Sequence, residues 1–225
     1  FFHRMQFIAS ARYGRLGTVA LAPFKQRMHH DSPPWTLSRT MERNAEFLLE
    51  VMWQLPARSV HINRFELPPI LIASDASFES AGDSFICIGG YIVCDCLTRR
   101  IEGAFTRFQQ EHLSAWGHEP ERLQNGSNPI APAETAMFIT VPMTTSVKIS
   151  GRRILWNVDN STSVYAAVRG SSADPAVERS AHVWHSFACK NEISHWWESV
   201  DSGSNWADGL SRLGFADPFC LRRGI

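Results

Sequence analysis

Two short runs constrain this chain more than any other feature of it: Pro69-Ile70-Leu71-Ile72-Ala73-Ser74 and Arg153-Ile154-Leu155-Trp156-Asn157-Val158. Both are short and apolar, which is the pattern of a strand in the interior of a sheet rather than of a one-sided helix. The first run is followed by Asp75 and the second by Asp159. If the connection between them makes the usual right-handed crossover, the two strands lie side by side at the sheet centre and the two carboxylates emerge near one another.

The rest of the pattern fits a mixed sheet flanked by helices. Ile70–Ser74, Ser84–Cys94 and Arg100–Arg107 are β-rich and separated by polar or glycine-containing breaks, predicting a three-strand antiparallel meander. Gly89-Gly90 inside the second run predicts a bulge or a close backbone approach. Residues 109–132 read as a long polar loop, an insertion or flap. Ala133 to about Val147 reads as a helix that Pro142 kinks or shortens. A helix follows from Ser161 to Val168, ending at Gly170, and Asp174 caps another over Pro175–Lys190. Ile193–Val200 is the last strand and Asn205–Leu213 a closing helix.

Before the sheet, residues 1–66 read as a helical appendage to a domain over 67–225. One helix spans Arg12–Gln26. A second begins after a Ser38 cap, carries Met41, Ala45, Leu48, Leu49, Met52 and Trp53 on one face, and is stopped by Pro56. Arg58–Pro69 reads as an extended linker. The start of the chain lacks an initiator Met and a signal-peptide pattern, so it reads as the broken edge of a longer polypeptide. Its apolar runs fall far short of the roughly 18 residues of a membrane span.

With 44% hydrophobic and 20% charged residues, the chain can bury a core. The five cysteines include no Cys-x-x-Cys pair and are odd in number, which predicts free thiols in an intracellular, cytoplasmic or nuclear setting. Net charge is zero, yet residues 1–66 hold nine Lys/Arg against five Asp/Glu, and residues 67–225 hold thirteen against seventeen. A basic arm beside an acidic centre suits a polyanionic substrate.

Glu134 and Asp208 join Asp75 and Asp159 as acids placed at helix starts or strand ends in separated segments. Four carboxylates brought together repel one another unless cations intervene. All-oxygen ligation favours two Mg²⁺ or Mn²⁺ ions over zinc, and such a pair can activate water and stabilise a leaving oxygen in phosphodiester cleavage.

The segments Ala73-Ser74-Asp75-Ala76-Ser77, Ala133-Glu134-Thr135-Ala136, Asn157-Val158-Asp159-Asn160 and Asn205-Trp206-Ala207-Asp208-Gly209-Leu210-Ser211-Arg212 resemble the four signatures of ribonuclease H. The last, following the Trp-rich run His195–Val200, narrows the resemblance to the ribonuclease H domain of retroelement reverse transcriptases. It covers roughly residues 68–213, and residues 7–65 resemble the thumb or connection region of the same proteins. The resemblance implies the ribonuclease H-like fold: a mixed five-stranded sheet with three antiparallel strands, parallel additions and flanking helices. It implies that Asp75, Glu134, Asp159 and Asp208 bind the metals that cut the RNA strand of an RNA–DNA hybrid. Asn160 and Asn205, with Ser77 and Arg212, are the implied substrate or supporting contacts. A polymerase domain of the same polyprotein is the implied partner, and no membrane is. The chain departs from the cellular enzymes in having no histidine between His195 and Asp208, and it has no Tyr-x-Asp-Asp polymerase motif. A second reading is a catalytically inactive or truncated module with a binding or structural role. A 3′–5′ exonuclease would carry an acid where Ser77 stands, and an integrase-like nuclease would end on glutamate rather than Asp208.

Overall fold

The computed structural model describes residues 18–27, 36–54, 67–81 and 84–225. Among them a five-stranded sheet runs in the order β3-β2-β1-β4-β5, with β1 at Ile70–Ala81, β2 at Ser84–Asp95, β3 at Arg100–Phe108, β4 at Arg153–Val158 and β5 at Ser194–Ser199. The first three strands are antiparallel; β4 and β5 add in parallel on the other side of β1. This is the mixed ribonuclease H-like arrangement that the resemblance implied, with the two apolar runs side by side.

The first strand is longer than its apolar run. Parallel pairing of β1 with β4 stops at Ala73–Asn157, while antiparallel pairing with β2 continues to Ala81–Ser84. Apolarity marks only the part of β1 flanked on both edges, so the sequence reading stopped the strand about seven residues early. Asp75 therefore lies within β1, opposite Gly90, and not at its end. The ladder shows no bulge at Gly89-Gly90; the close approach is the reason for the glycines. A Cβ on Gly90 would lie 3.3 Å from Leu210 Cγ and 3.4 Å from the Ser211 nitrogen, and one on Gly89 would lie 2.7 Å from Met137 Cε.

One face of the sheet is sealed by α5 (Ile130–Thr144), α6 (Ser161–Arg169) and α7 (Pro175–Lys190). Their common core is aromatic. The Trp156 and Trp197 rings stack at 4.8 Å, and Trp184 meets Trp156 edge-on at 5.0 Å. Each ring nitrogen needs a partner once buried: Trp156 Nε1 donates to Ser74 Oγ at 2.9 Å and Trp197 Nε1 to His195 Nδ1 at 2.8 Å. Trp197 thus belongs to the core. On α7, His182 packs on Phe47 and His185 Nε2 contacts the Ala167 carbonyl at 2.8 Å. The termini of α6 and α7 follow the sequence closely, whereas α5 begins and ends three residues earlier than expected and takes Pro142 within its last turn. Asn160 caps α6 and Gly170 ends it in the left-handed region, and Asp174 accepts from the backbone of Ala176 and Val177.

Residues 109–132 are not a structureless loop. They hold two short helices, α3 (Gln110–Ala115) and α4 (Pro120–Gln124), each tied to the body by one buried leucine, Leu113 or Leu123. Helices of one turn or so carry too little periodicity to be read from sequence. On the opposite face, α8 (Asp208–Leu213) starts three residues later than expected, and α9 (Pro218–Arg223), absent from the sequence reading, packs beside it around Ile92, Leu210 and Cys220.

Before the sheet, the described residues form α1 (Thr18–Arg27) and α2 (Arg39–Gln54), which pack through Ala20, Leu21, Phe24, Met41 and Leu48. Ser38 Oγ accepts from the Met41 N–H at 3.2 Å, the expected cap. Leu49 and Trp53, expected on the packed face, are 56% and 87% exposed, because only the Met41–Ala45–Leu48 line points at α1. The Arg12 start of the first helix, the Met52 side chain, Pro56 and residues 58–66 of the linker lie outside the described residues. All five cysteines are free thiols, as the sequence implied.

Arg152 joins three segments at the end of the sheet remote from Asp159. It donates to Asp95 Oδ1 at 2.8 Å and to the Pro68 carbonyl at 3.0 Å, and both charged side chains are nearly buried. This bond, with those from Thr98 and the Leu97 N–H, holds the Asp95 carboxyl at about 2, below its ordinary value. A depressed folded-state value stabilises the fold above the unfolded value, near pH 4, and that contribution is lost as pH falls toward 2. Arg152→Ala is expected to cost about 3 kcal/mol, because it strands a buried carboxylate. Chemical denaturation at pH 7 and pH 2.5 checks this: the cost should be present at pH 7 and shrink at pH 2.5.

Candidate metal centre

Where β4 leaves β1, a gap opens beside Asp75. Asp159, one residue past the end of β4, and Glu134, in the second turn of α5, reach the same point. One carboxylate oxygen from each of Asp75, Glu134 and Asp159 lies within 4.8 Å of the other two, the one such acid cluster among the described residues. Three of the four acids singled out in the sequence are thus brought together. Asp208 stands outside this cluster: its Oδ1 accepts from Arg212 Nε at 3.1 Å and Nη2 at 2.9 Å.

The cluster is buried and under electrostatic stress. Asp75 and Glu134 are 3% and 2% exposed. Burial is the main cause that pushes Glu134 up to about 8, with repulsion from Asp75 and Asp159 adding to it. Burial likewise raises Asp75 to about 6, helped by Asp159 and Asp208 and opposed by the Ser211 hydroxyl, which donates to Asp75 Oδ2.

The neighbouring polar groups orient these acids. Asn205 Nδ2 donates to Asp159 Oδ1 at 3.3 Å and to the Ser74 carbonyl at 3.0 Å, while its Oδ1 accepts from the Ala207 N–H. One side chain therefore ties the end of β4, the middle of β1 and the entry to α8. Asn160 Nδ2 donates to Glu134 Oε1 at 3.2 Å while its Oδ1 caps α6. Ser77 contacts no acid; its hydroxyl donates to the Ser211 carbonyl at 2.7 Å and so pins α8 to β1. The sequence reading missed the Ser211 contact, although the three-residue spacing from Asp208 puts its hydroxyl on the same side of α8. It also missed Ser163, whose buried hydroxyl lies near Glu134 and counters its rise without forming a hydrogen bond. Nearby, Trp196 is 66% exposed on the outer strand and Trp206 stacks on Phe219.

These residues fit a divalent cation. The donors are all carboxylate oxygens, the set that suits Mg²⁺ or Mn²⁺. Glu134 Oε2 is buried without a hydrogen-bond partner, which is costly for a carboxylate unless a cation answers it.

No protein-family model matches the chain. No curated protein matches it. Among solved structures, ribonuclease H1 of Halobacterium salinarum is similar with a TM-score of 0.48 at 12% identity, over 67% of this chain and 99% of that one. The N-terminal ribonuclease H domain of a Mycobacterium tuberculosis protein gives 0.43 at 14% identity, over 70% and 99%. The protease–reverse transcriptase of prototype foamy virus gives 0.39 at 9% identity, over 88% of this chain and 29% of that one.

A carboxyl raised by folding is neutral in the folded state at a pH where the unfolded chain would ionise it. Its burden on stability therefore begins above the unfolded value, near 4.5, and grows until pH passes the folded value, near 8 for Glu134. In chelator, Glu134→Gln is expected to raise the melting temperature at pH 8 by on the order of 5 °C, and to change it little at pH 4.5. Thermal unfolding at the two pH values checks this; equal shifts at both would contradict it.

Proposed function

We propose that this chain is a divalent-metal-dependent nuclease of the ribonuclease H type, hydrolysing the RNA strand of RNA–DNA hybrids as part of a retroelement reverse transcriptase. The observation that carries the reading is the convergence of Asp75, Glu134 and Asp159, from three distant segments, with Glu134 Oε2 buried and unpartnered. The four ribonuclease H-like signatures supply the substrate class, and the mixed sheet agrees with them. In this reading residues 1–66 belong to the connection toward a polymerase domain of the same polyprotein, and residues 67–225 form the nuclease.

Asp75, Glu134 and Asp159 would hold the ions, with Asp208 completing the set. Bound there, the ions supply an activated water and neutralise charge at the scissile phosphate. The chain's own polar groups prepare the site. Asn205 fixes the Asp159 carboxylate, Asn160 fixes Glu134, and the Ser211 hydroxyl holds Asp75. These bonds limit the side-chain freedom that would be lost when a cation and a phosphate arrive. One observation favours the second reading, a module that binds hybrids without turnover: Asp208 is paired with Arg212 and stands apart from the cluster.

Incubation of the purified chain with end-labelled hybrid decides between them. Cleavage of the RNA strand in Mg²⁺ or Mn²⁺, abolished by chelator and by Asp75→Asn, is expected. Hybrid binding without cleavage in either cation would instead establish the second reading. Asn205→Ala, which leaves every acid in place, is expected to lower the cleavage rate by about 10–100-fold, the usual effect of losing a group that orients a metal ligand.

A further inference from the structure

The Asp208 carboxylate is turned to Arg212, on a helix that is itself tied to the strand carrying Asp75. That helix, α8, is held against the sheet next to Asp75 by several independent contacts. Ser77 Oγ donates to the Ser211 carbonyl, Ser211 Oγ donates to Asp75, and Leu210 is buried over the bare backbone of Gly90. Asp208 also adds to the charge felt by Asp75, and the Ser211 hydroxyl that reaches Asp75 lies 2.9 Å from the Asp208 carbonyl oxygen. Against this fixed backbone, the Asp208 carboxylate is turned to the guanidinium one helical turn on. Both Arg212 donors fall on the same oxygen, Oδ1. The pair is open to solvent, with 56% of the Arg212 side chain and 30% of the Asp208 side chain exposed.

We infer that Arg212 is a displaceable counter-ion for Asp208: it holds the fourth carboxylate away from the Asp75–Glu134–Asp159 cluster until a divalent cation draws Asp208 in. This rests on the cation-site reading above and adds a positioning residue to it. Three features make the exchange feasible. An exposed pair is weak, so a dication held by buried carboxylates outcompetes it. The pair joins residues four apart on one helix, so breaking it moves no backbone. The guanidinium released still has an acid to face outside the cluster, since exposed Glu79 also acts on Arg212, more weakly than Asp208 does. Arg212 therefore sets how readily the site fills, without touching the ion itself.

Manganese binding, followed by the electron paramagnetic resonance of free Mn²⁺ without nucleic acid, tests this independently of catalysis. Four chains are compared: wild type, Arg212→Gln, Asp208→Asn and the double variant, each confirmed as folded by circular dichroism. Arg212→Gln is expected to tighten Mn²⁺ about three- to fivefold, the size of an exposed ion pair. In the Asp208→Asn background the same change should have no effect beyond twofold. Arg212→Lys, which keeps the charge but loses the two-donor fork, should tighten binding by less than Arg212→Gln. Equal tightening in both backgrounds would overturn the inference, because Arg212 would then act only as a nearby positive charge. No tightening in Arg212→Gln would overturn it as well. Failure of the cation-site reading has a separate signature: wild type would bind no Mn²⁺, or Asp75→Asn would bind it as wild type does.

Discussion

The whole site depends on one mismatch in strand length. β1 runs from Ile70 to Ala81, but its parallel neighbour stops pairing with it at Ala73–Asn157. Up to that point the central strand is flanked on both edges and is apolar. Beyond it, one edge of β1 is open, and Asp75 stands where the opening begins. Asp159 leaves the end of the shorter strand at the same level, and Glu134 descends from the helix that covers this part of the sheet. The convergence of three carboxylates follows from where one ladder of backbone hydrogen bonds ends.

The stability of the domain and the stress at its centre arise from the same burial. The tryptophan core under α5 and α7 excludes water from the β1–β4 pair, and Trp156 donates its ring N–H to the hydroxyl of Ser74, directly before Asp75. An environment dry enough to bury that core also makes ionised Asp75 and Glu134 expensive, which is why burial dominates the upward displacement of both. Asn160, Asn205 and Ser211 hold the acids in this setting instead of letting them turn to solvent. Groups destabilised in this way are characteristic of sites that gain their counter-charge from a ligand.

Much of this was legible in the sequence, and what was not has identifiable reasons. The strand order could be read because β1 and β4 are apolar enough to belong only at the sheet centre. The end of α6 and the start of α7 could be read because Gly170 and Asp174 leave clear signals at them. The true length of β1 was hidden, because everything after Ala73, two thirds of the strand, is paired on one side only and carries polar residues such as Ser77 and Glu79. The helices α3 and α4 were hidden because a single buried leucine in each leaves no period. At the site, Asp75 and Asp159 were visible because each directly follows an apolar run, and Glu134 because it lies near the start of a helix. The turning of Asp208 toward Arg212 was not, although the four-residue spacing permits it, because a sequence does not tell which of two available partners a surface carboxylate takes.

The central claim is that Asp75, Glu134 and Asp159 form a cation site. Anomalous diffraction at the manganese edge, from crystals of the chain soaked in Mn²⁺, tests it most directly. The account expects an anomalous peak within coordinating distance of carboxylate oxygens from all three residues. A well-ordered cluster with no peak there, while Mn²⁺ binds elsewhere on the molecule, would contradict it.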